Sequence, residues 1–257
     1  MLKVFLASLI LVAWPQSLLR AAQQTTNAPV AASALFQAAT AAYRAGDFDQ
    51  AARLFRRITA AQPASGTLQN LGNAEWQCGQ VGAALLAWEQ ALWLDPLNRD
   101  ARNNLRFARR AAQLETPELT WYEVVSSWLP AEWWGWVAGV SLWLSVGAVL
   151  LPGIFRFRKA TWHQAAAAAG LVVFLLSLPA CLGIFTRSHL GFVLVKDTPL
   201  RLTPTASSQF VTRMASGEPA RLARRRGDFI LVRTGRAEGW ILENEFGAIS
   251  TAGPPRQ

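Results

Sequence analysis

The sequence predicts a multidomain chain: an all-α region of helical repeats, two transmembrane helices arranged as a hairpin, and a small all-β domain. Three observations predict this architecture, namely an internal repeat, two long uncharged stretches, and a change to short strand-like segments after them. Of the 257 residues, 52% are hydrophobic and only 16% are charged, whereas typical soluble domains have about 25% charged residues. The apolar excess therefore indicates membrane segments.

The N-terminus is typical of an export signal. Lys3 precedes an apolar stretch from Val4 to Trp14, so we predict a signal peptide over residues 1–22. An uncleaved N-terminal anchor is the alternative, and both interpretations place the residues that follow outside the cytoplasm. Residues 23–32 form a Gln/Thr/Ala/Pro segment without periodicity, for which we predict a disordered linker.

Residues 33–115 contain an internal repeat with an offset of 33 residues. Gly46 and Gly79 occupy the predicted turn within each unit, while Pro63 and Pro96 end the second helices. Small residues would let the paired helices approach closely, and large aromatic residues would fill the space between units. The repeat-packing residues are Ala39, Tyr43, Ala51, Phe55, Gly72, Trp76, Ala84 and Trp88. Residues 100–113 form a predicted capping helix with a basic outer face.

This unit length and these matched positions resemble the tetratricopeptide repeat family, whose unit is about 34 residues long. The resemblance implies pairs of antiparallel helices that form a shallow groove for a peptide or a partner helix. Polar residues on the first helix of each unit are the predicted partner-binding residues: Gln37, Thr40, Arg44, Asn70, Asn73 and Gln77. The alternative is that they are ordinary solvent-facing positions.

The second half of the chain has the pattern of a membrane hairpin. Residues 121–130 are amphipathic and aromatic, so we predict an interfacial segment. Uncharged stretches at 133–155 and 164–186 are long enough to span a bilayer, which takes about 20 residues. The loop over 156–163 carries Arg156, Arg158 and Lys159, and the positive-inside rule places it in the cytoplasm. We therefore predict a multi-pass protein of the cytoplasmic (inner) membrane, with the repeats and the C-terminal domain outside the cytoplasm.

Residues 190–250 change to short runs of Val, Ile, Leu and Phe separated by Gly, Pro and Asp, which predicts a small all-β domain of about five strands. The segments Leu200–Leu202, Asp228–Val232 and Gly239–Ile241 resemble bacterial SH3-like domains, and this resemblance implies a small barrel. That family usually has Trp where this chain has Phe229. Residues 251–257 are a predicted tail.

One charge cluster in this domain allows two interpretations. Arg224, Arg225 and Arg226 are consecutive. They are either a solvated turn or strand edge, or a contact with anionic lipid head groups or cell-wall polymer. The net charge of +9 otherwise comes from loop residues and scattered arginines, so we predict no nucleic-acid binding.

We identify no catalytic constellation in the sequence. His163 and His189 are predicted to lie on opposite sides of the bilayer, and no H-E-x-x-H, CxxC, G-x-S-x-G or Walker motif occurs. Asp47 lies at the repeat turn, where Asp typically caps a helix. We therefore predict that the chain is not an enzyme and uses no cofactor or metal. An enzyme of unrecognised type is the alternative.

The order of the predicted parts resembles the BatE proteins of the Bat aerotolerance group. This resemblance implies an envelope protein that works beside other Bat membrane proteins and a MoxR-type ATPase. The expected function is a non-catalytic, membrane-anchored scaffold that binds other membrane or envelope proteins through its repeats, in connection with aerotolerance or oxidative stress. The alternative is a membrane protein that binds peptidoglycan through its SH3-like domain. In both cases the lipid bilayer is a partner.

Overall fold

The computed structural model describes residues 32–154 and 161–250. Within these ranges it contains eight α-helices and one antiparallel sheet of seven strands. The predicted signal peptide, nearly all of the predicted linker, the loop residues Arg156, Arg158 and Lys159, and the predicted tail lie outside the described residues. The chain divides into two compact units, Met1–Gln62 and Pro63–Gln257.

The first unit contains a pair of helices joined by a tight turn. Helix α1 is described over 32–44, and helix α2 spans Phe48–Ala61. Gly46 has a φ of +80° in the turn, a conformation that suits glycine. The carboxylate of Asp47 accepts a hydrogen bond of 3.0 Å from the backbone N–H of Gln50, so the predicted helix cap is present. The rings of Phe36 and Phe55 meet edge to face across the two helices at 5.8 Å.

The second unit begins with three helices: α3 (Ser65–Gln77), α4 (Val81–Leu94) and α5 (Arg99–Ala111). Helices α2 and α4 both contain 14 residues and begin at positions 33 residues apart, which matches the offset seen in the sequence. Gly79 repeats the left-handed turn of Gly46, with a φ of +74°. A Cβ atom on Gly72 would lie 2.5 Å from Nε1 of Trp88, so this position needs glycine for α3 and α4 to approach closely.

Two long apolar helices follow a short amphipathic one. Helix α6 spans Trp121–Ser126, α7 spans Ala131–Ile154 and α8 spans Thr161–Arg187. Helices α7 and α8 are long and apolar enough to cross a membrane, with mean hydropathies of 1.7 and 2.3, and only 6% and 22% of their most apolar windows are buried. The core helices of a soluble domain would be mostly buried. The hydroxyl of Ser145 donates to the carbonyl of Ala167 at 2.8 Å, which ties α7 to α8.

The C-terminal region is one antiparallel sheet with strand order β3-β2-β6-β5-β4-β1-β7. Its seven strands correct the expected number of about five. Buried residues alternate with mostly half-buried ones along β5, β6 and the first half of β4, and the buried aliphatic side chains form the core of the sheet. The strands are β1 (Leu190–Val193), β2 (Thr198–Arg201), β3 (Phe210–Met214), β4 (Pro219–Arg226), β5 (Phe229–Arg233), β6 (Glu238–Leu242) and β7 (Phe246–Ala248).

The sheet packs directly on helix α4. A buried cluster joins Trp93 of α4 to Leu190, Phe192 and Ile249 of the sheet region. At the other end of α4, a Cβ atom on Gly82 would overlap the carbonyl oxygen of Val193. Gly82, near the start of α4, lies against the last residue of β1, and Trp93, near the end of α4, packs on Leu190 at the start of β1. Helix α4 and strand β1 therefore run in opposite directions.

Candidate functional site

The structure gives the predicted partner-binding residues different surroundings. In the first unit, Gln37 and Arg44 are exposed on α1, while the Thr40 hydroxyl donates to the carbonyl of Phe36 at 2.9 Å. In the second unit, Gln77 is exposed on α3 and Asn70 is half-buried. Thr40 therefore has its hydroxyl satisfied within its own helix, and Gln77 offers its amide to solvent.

Asn73 joins three helices to one another. Its Oδ1 atom accepts hydrogen bonds from Nε1 of Trp88 at 3.1 Å and from Nδ2 of Asn104 at 2.8 Å. Trp88 is only 2% exposed, so its N–H needs an acceptor inside the protein, and it also donates to the Gln69 carbonyl at 3.2 Å. The side-chain oxygen of Asn73 thus connects α3 to α4 and α5. This structural role is one that we did not expect from its place in the repeat.

An aromatic pair lies on the same side of α3. The Trp76 ring meets the Phe107 ring of α5 edge to face at 5.9 Å and lies 6.1 Å from the Trp88 ring. Phe107 is 61% exposed, although it belongs to the same helix as the buried Leu105. We call this surface the α3–α5 face; it consists of Asn70, Asn73, Trp76, Gln77, Asn104 and Phe107.

The repeat pattern did not indicate Phe107 as a functional residue. The sequence did contain a signal for it. Phe107 is apolar, yet it lies outside the helical spacing of Ala101, Leu105 and Ala108, which are the buried residues of α5. Exposed arginines of the same helix, Arg106 and Arg110, lie on either side of it in sequence. The α3–α5 face therefore has an aromatic centre beside polar amides.

An ion pair between a buried carboxylate and a half-buried arginine joins α6 to the sheet. Glu123 is 1% exposed, and its two carboxylate oxygens accept hydrogen bonds from Nη1 and Nη2 of Arg221 at 2.7 and 2.9 Å. The backbone N–H of Thr120 donates to the same carboxylate at 2.9 Å, completing a capping box. Burial by itself raises the pKa of Glu123, but the hydrogen bonds and the charge of Arg221 outweigh it and lower that pKa below its usual value.

Arg187, the last residue of α8, is buried beside this ion pair. It is 7% exposed, its Nη1 donates to the hydroxyl of Ser126 at 3.2 Å, and its guanidinium carbon lies 5.1 Å from the centre of the Trp93 ring. A further pair, Arg109 with Glu89, connects α5 to α4 with both side chains largely buried. We call these five residues the charged junction: Glu89, Arg109, Glu123, Arg187 and Arg221. They join α4, α5, α6, α8 and β4.

The arginine cluster lies at the exposed end of β4. Arg224, Arg225 and Arg226 are all exposed, and Arg225 pairs with Glu243. Gly227 follows with a φ of +59° and turns the chain into β5. All three side chains are at the surface, so the geometry is compatible with both interpretations of this cluster.

The two histidines are separated by the length of α8. His163 lies near the start of this 27-residue helix and His189 just after its end, a separation of about 40 Å at 1.5 Å per residue. Among the described residues, no three His, Cys, Asp or Glu side chains are grouped as a metal site would require.

An apolar groove of about 990 Å³ lies between α7 and α8, lined by residues such as Trp136, Val140 and Ala169.

No protein-family model matches the chain, and no curated protein matches it. The α3–α5 face is an exposed surface on a hydrogen-bonded base, and the charged junction is a largely buried connection between structural elements.

Proposed function

We propose that this chain is a non-catalytic, membrane-anchored scaffold of the bacterial envelope that binds partner proteins through tetratricopeptide-type repeats. In this proposal α1 to α4 form two such repeats, α5 caps them, and the sheet is an SH3-like domain. The order of these proposed parts resembles that of BatE proteins, which suggests a role in aerotolerance or the response to oxidative stress. The chain has no catalytic function in this proposal.

Several features support the repeat and membrane assignments. Helices α2 and α4 share their length, their offset of 33 residues and a preceding glycine turn. Helices α7 and α8 expose most of their apolar surface, as helices in contact with lipid do. The orientation, with repeats and sheet outside the cytoplasm, rests on Arg156, Arg158 and Lys159 in the loop between the two helices.

The observation that carries the proposed partner binding is the α3–α5 face. Phe107 is a large exposed aromatic residue, and the contact with Trp76 orders it from below. Asn73 in turn fixes α3 against both α4 and α5. An aromatic side chain on an ordered base binds a partner with little loss of conformational entropy, and such residues are common interface anchors.

A photo-crosslinking experiment tests this function. The photoreactive residue p-benzoylphenylalanine would replace Phe107 in the full chain, expressed in cells of its source organism. The matched control is Phe210, which is 54% exposed on strand β3. We expect discrete crosslinked proteins from position 107 and none of the same mass from position 210. Identical products from both positions, or no product from position 107, would contradict the proposal.

The alternative function is peptidoglycan binding through the sheet, and the exposed cluster Arg224 to Arg226 favours it. Purified sacculi would be mixed with the full detergent-solubilised chain and with a triple Arg→Gln variant of this cluster. A triple variant of Arg53, Arg56 and Arg57, which are exposed on α2, removes the same charge elsewhere. Loss of retention in the first variant alone would support this alternative. Equal retention of both variants would exclude a role of the cluster.

A further inference from the structure

The turn between α4 and α5 presents an apolar side chain to its surroundings. Leu97 is 78% exposed, whereas the preceding Pro96 is buried. The carboxylate of Asp95 accepts a hydrogen bond of 2.9 Å from the backbone N–H of Leu97, and the Asp95 carbonyl accepts another of 3.2 Å from Asn98. These bonds hold the turn in one conformation, so the turn itself directs the Leu97 side chain outward.

This turn lies beside one end of the apolar hairpin. The guanidinium of Arg187, the last residue of α8, lies over the ring of Trp93 in α4, with 5.1 Å between the guanidinium carbon and the ring centre. Leu94 packs on the same cluster as Ala131, the first residue of α7, and Ile184 of α8. Leu97 follows Leu94 by three residues, which limits their separation to about 10 Å. Leu97 therefore lies within about 10 Å of a residue that packs on the cluster at the ends of both apolar helices.

Exposed tryptophans lie before α7 and in its first turn. Trp121, Trp128 and Trp133 are 67%, 64% and 62% exposed. Tryptophan favours the membrane–water interface because its ring is apolar and its single N–H can reach water or head groups. Trp128 and Trp133 flank Ala131, which packs on the same buried cluster as Leu94.

The residues around Leu97 carry equal numbers of positive and negative charges. Arg99 and Arg102 follow it, but Asp95 and Asp100 carry the opposite charges. The guanidinium of Arg102 also donates to the carbonyl of Pro96, so it bends back over the turn. Attraction to anionic lipid is therefore not required, and an apolar contact with the interfacial zone of any phospholipid leaflet is sufficient.

We propose that the turn Asp95–Asn98 rests in the interfacial zone of the outer leaflet, with the Leu97 side chain in contact with lipid. This contact would hold the second repeat against the membrane surface, in addition to the covalent link through α6. The inference rests on the proposed membrane anchoring by α7 and α8. The partner is lipid, whereas a second copy of the chain or another protein would be a different occupant.

Lipid-depth quenching of a fluorophore tests the contact. The full chain, with Cys78 and Cys181 replaced by serine, would be placed as single copies in nanodiscs of zwitterionic phosphatidylcholine. Cysteine would be introduced singly at Leu97, at Gln80 and at Leu176, and each would be labelled. Gln80 is the exposed N-cap of α4, about 25 Å from Leu97 at 1.5 Å per residue. Leu176 is 69% exposed within α8. Only variants with the far-ultraviolet circular dichroism of the parent chain would be measured.

Nitroxide lipids labelled at the head group should quench the Leu97 fluorophore at least twofold more strongly than the Gln80 fluorophore. Replacing a third of the lipid by anionic phosphatidylglycerol should leave this ratio unchanged. Lipids labelled deep in the acyl chain should quench Leu176 most strongly. An unquenched Leu97 beside a quenched Leu176 would overturn the lipid contact but not the anchor. Equal quenching at Leu97 and Gln80 would also overturn it. An unquenched Leu176 would overturn the membrane anchoring itself.

Discussion

The second helices of the two repeats, α2 and α4, share their length but differ in their surroundings. Helix α2 exposes arginines at 53, 56 and 57, whereas every residue of α4 is buried or half-buried. The positions of α4 that correspond to Arg53 and Arg57 are Leu86, which packs against Gly247, and Gln90, which donates to the carbonyl of Ala248 at 3.0 Å. Trp93 corresponds to Ala60.

Within each of these helices, the residues on the inward side and those on the outward side carry different information. The positions that face the partner helix repeat, with Ala51 matched by Ala84 and Phe55 by Trp88, and all four are buried. The outward positions do not repeat: Arg53, Arg56 and Arg57 of α2 correspond to Leu86, Glu89 and Gln90 of α4. The inward residues therefore specify the repeat, and the outward residues specify whether another domain covers it.

The largest effect is expected at Trp93. Replacing it with alanine removes a buried aromatic side chain from the cluster with Leu190, Phe192 and Ile249 and from the contact with Arg187. We expect a loss of about 3–5 kcal/mol in the free energy of unfolding, measured by denaturant titration in detergent micelles. Arg57→Ala on the exposed side of α2 should change it by less than about 0.5 kcal/mol. Similar losses in both variants would contradict the different roles of the two helices.

A smaller effect is expected at Glu123. The change Glu123→Gln removes the charge that pairs with Arg221 while keeping a side chain of similar size. Because hydrogen bonds to charged groups contribute about 1.5–3 kcal/mol, we expect a destabilisation of that order. Glu238→Gln removes the partner of Arg233 from a pair in which both side chains are exposed, and it should cost less than about 1 kcal/mol. If Glu123→Gln and Glu238→Gln lower the free energy of unfolding equally, burial of Glu123 does not strengthen its pair with Arg221.

The pH dependence of stability gives a further test of Glu123. Its pKa is lowered in the folded chain, so its ionised form stabilises the fold above the unfolded pKa of about 4.3. This contribution is lost as the pH falls through the lower folded value. The difference in unfolding free energy between the parent chain and Glu123→Gln should therefore be constant near neutral pH and decrease below about pH 4. A difference that grew with acidity would contradict the direction of the pKa change.

The smallest effect is expected when α2 receives the outward residues of α4. The double change Arg53→Leu and Arg57→Gln gives α2 the residues found at 86 and 90. Because both positions are exposed, we expect the free energy of unfolding to change by less than about 0.5 kcal/mol. Size-exclusion chromatography in detergent would detect self-association through the new apolar residue. A gain above 1 kcal/mol without self-association would show that the outward face of α2 is covered.

Local patterns account for the elements that the sequence predicted well. The two uncharged runs correspond to α7 and α8 within a few residues, and the repeat offset corresponds to the positions of α2 and α4. The missed features depend on distant partners. The sheet has seven strands because short β1 pairs with both β4 and β7. A four-residue and a three-residue strand have too little alternation to be recognised alone.

The α3–α5 face likewise combines a local pattern that the sequence predicted with contacts between residues distant in the chain. The sequence placed Asn70, Asn73 and Gln77 on one side of a helix, because residues three and four apart share a face. It could not show that Trp88 and Asn104 would both donate to Asn73, since 15 and 31 residues separate them from it. Nor did it select Phe107, because its contact with Trp76 depends on how α5 packs beside α3.

The sequence by itself determined the periodic properties of this protein: the repeat register, the two apolar helices and the change to strands after them. These follow from residues close together in the chain, whose side-chain spacing directly reflects helix or strand geometry. Only the tertiary structure decided that α4 would carry the sheet, that Asn73 would hold three helices together, and that Glu123 would pair with Arg221. Those outcomes depend on which distant groups become neighbours, and their energies arise only when burial removes them from water.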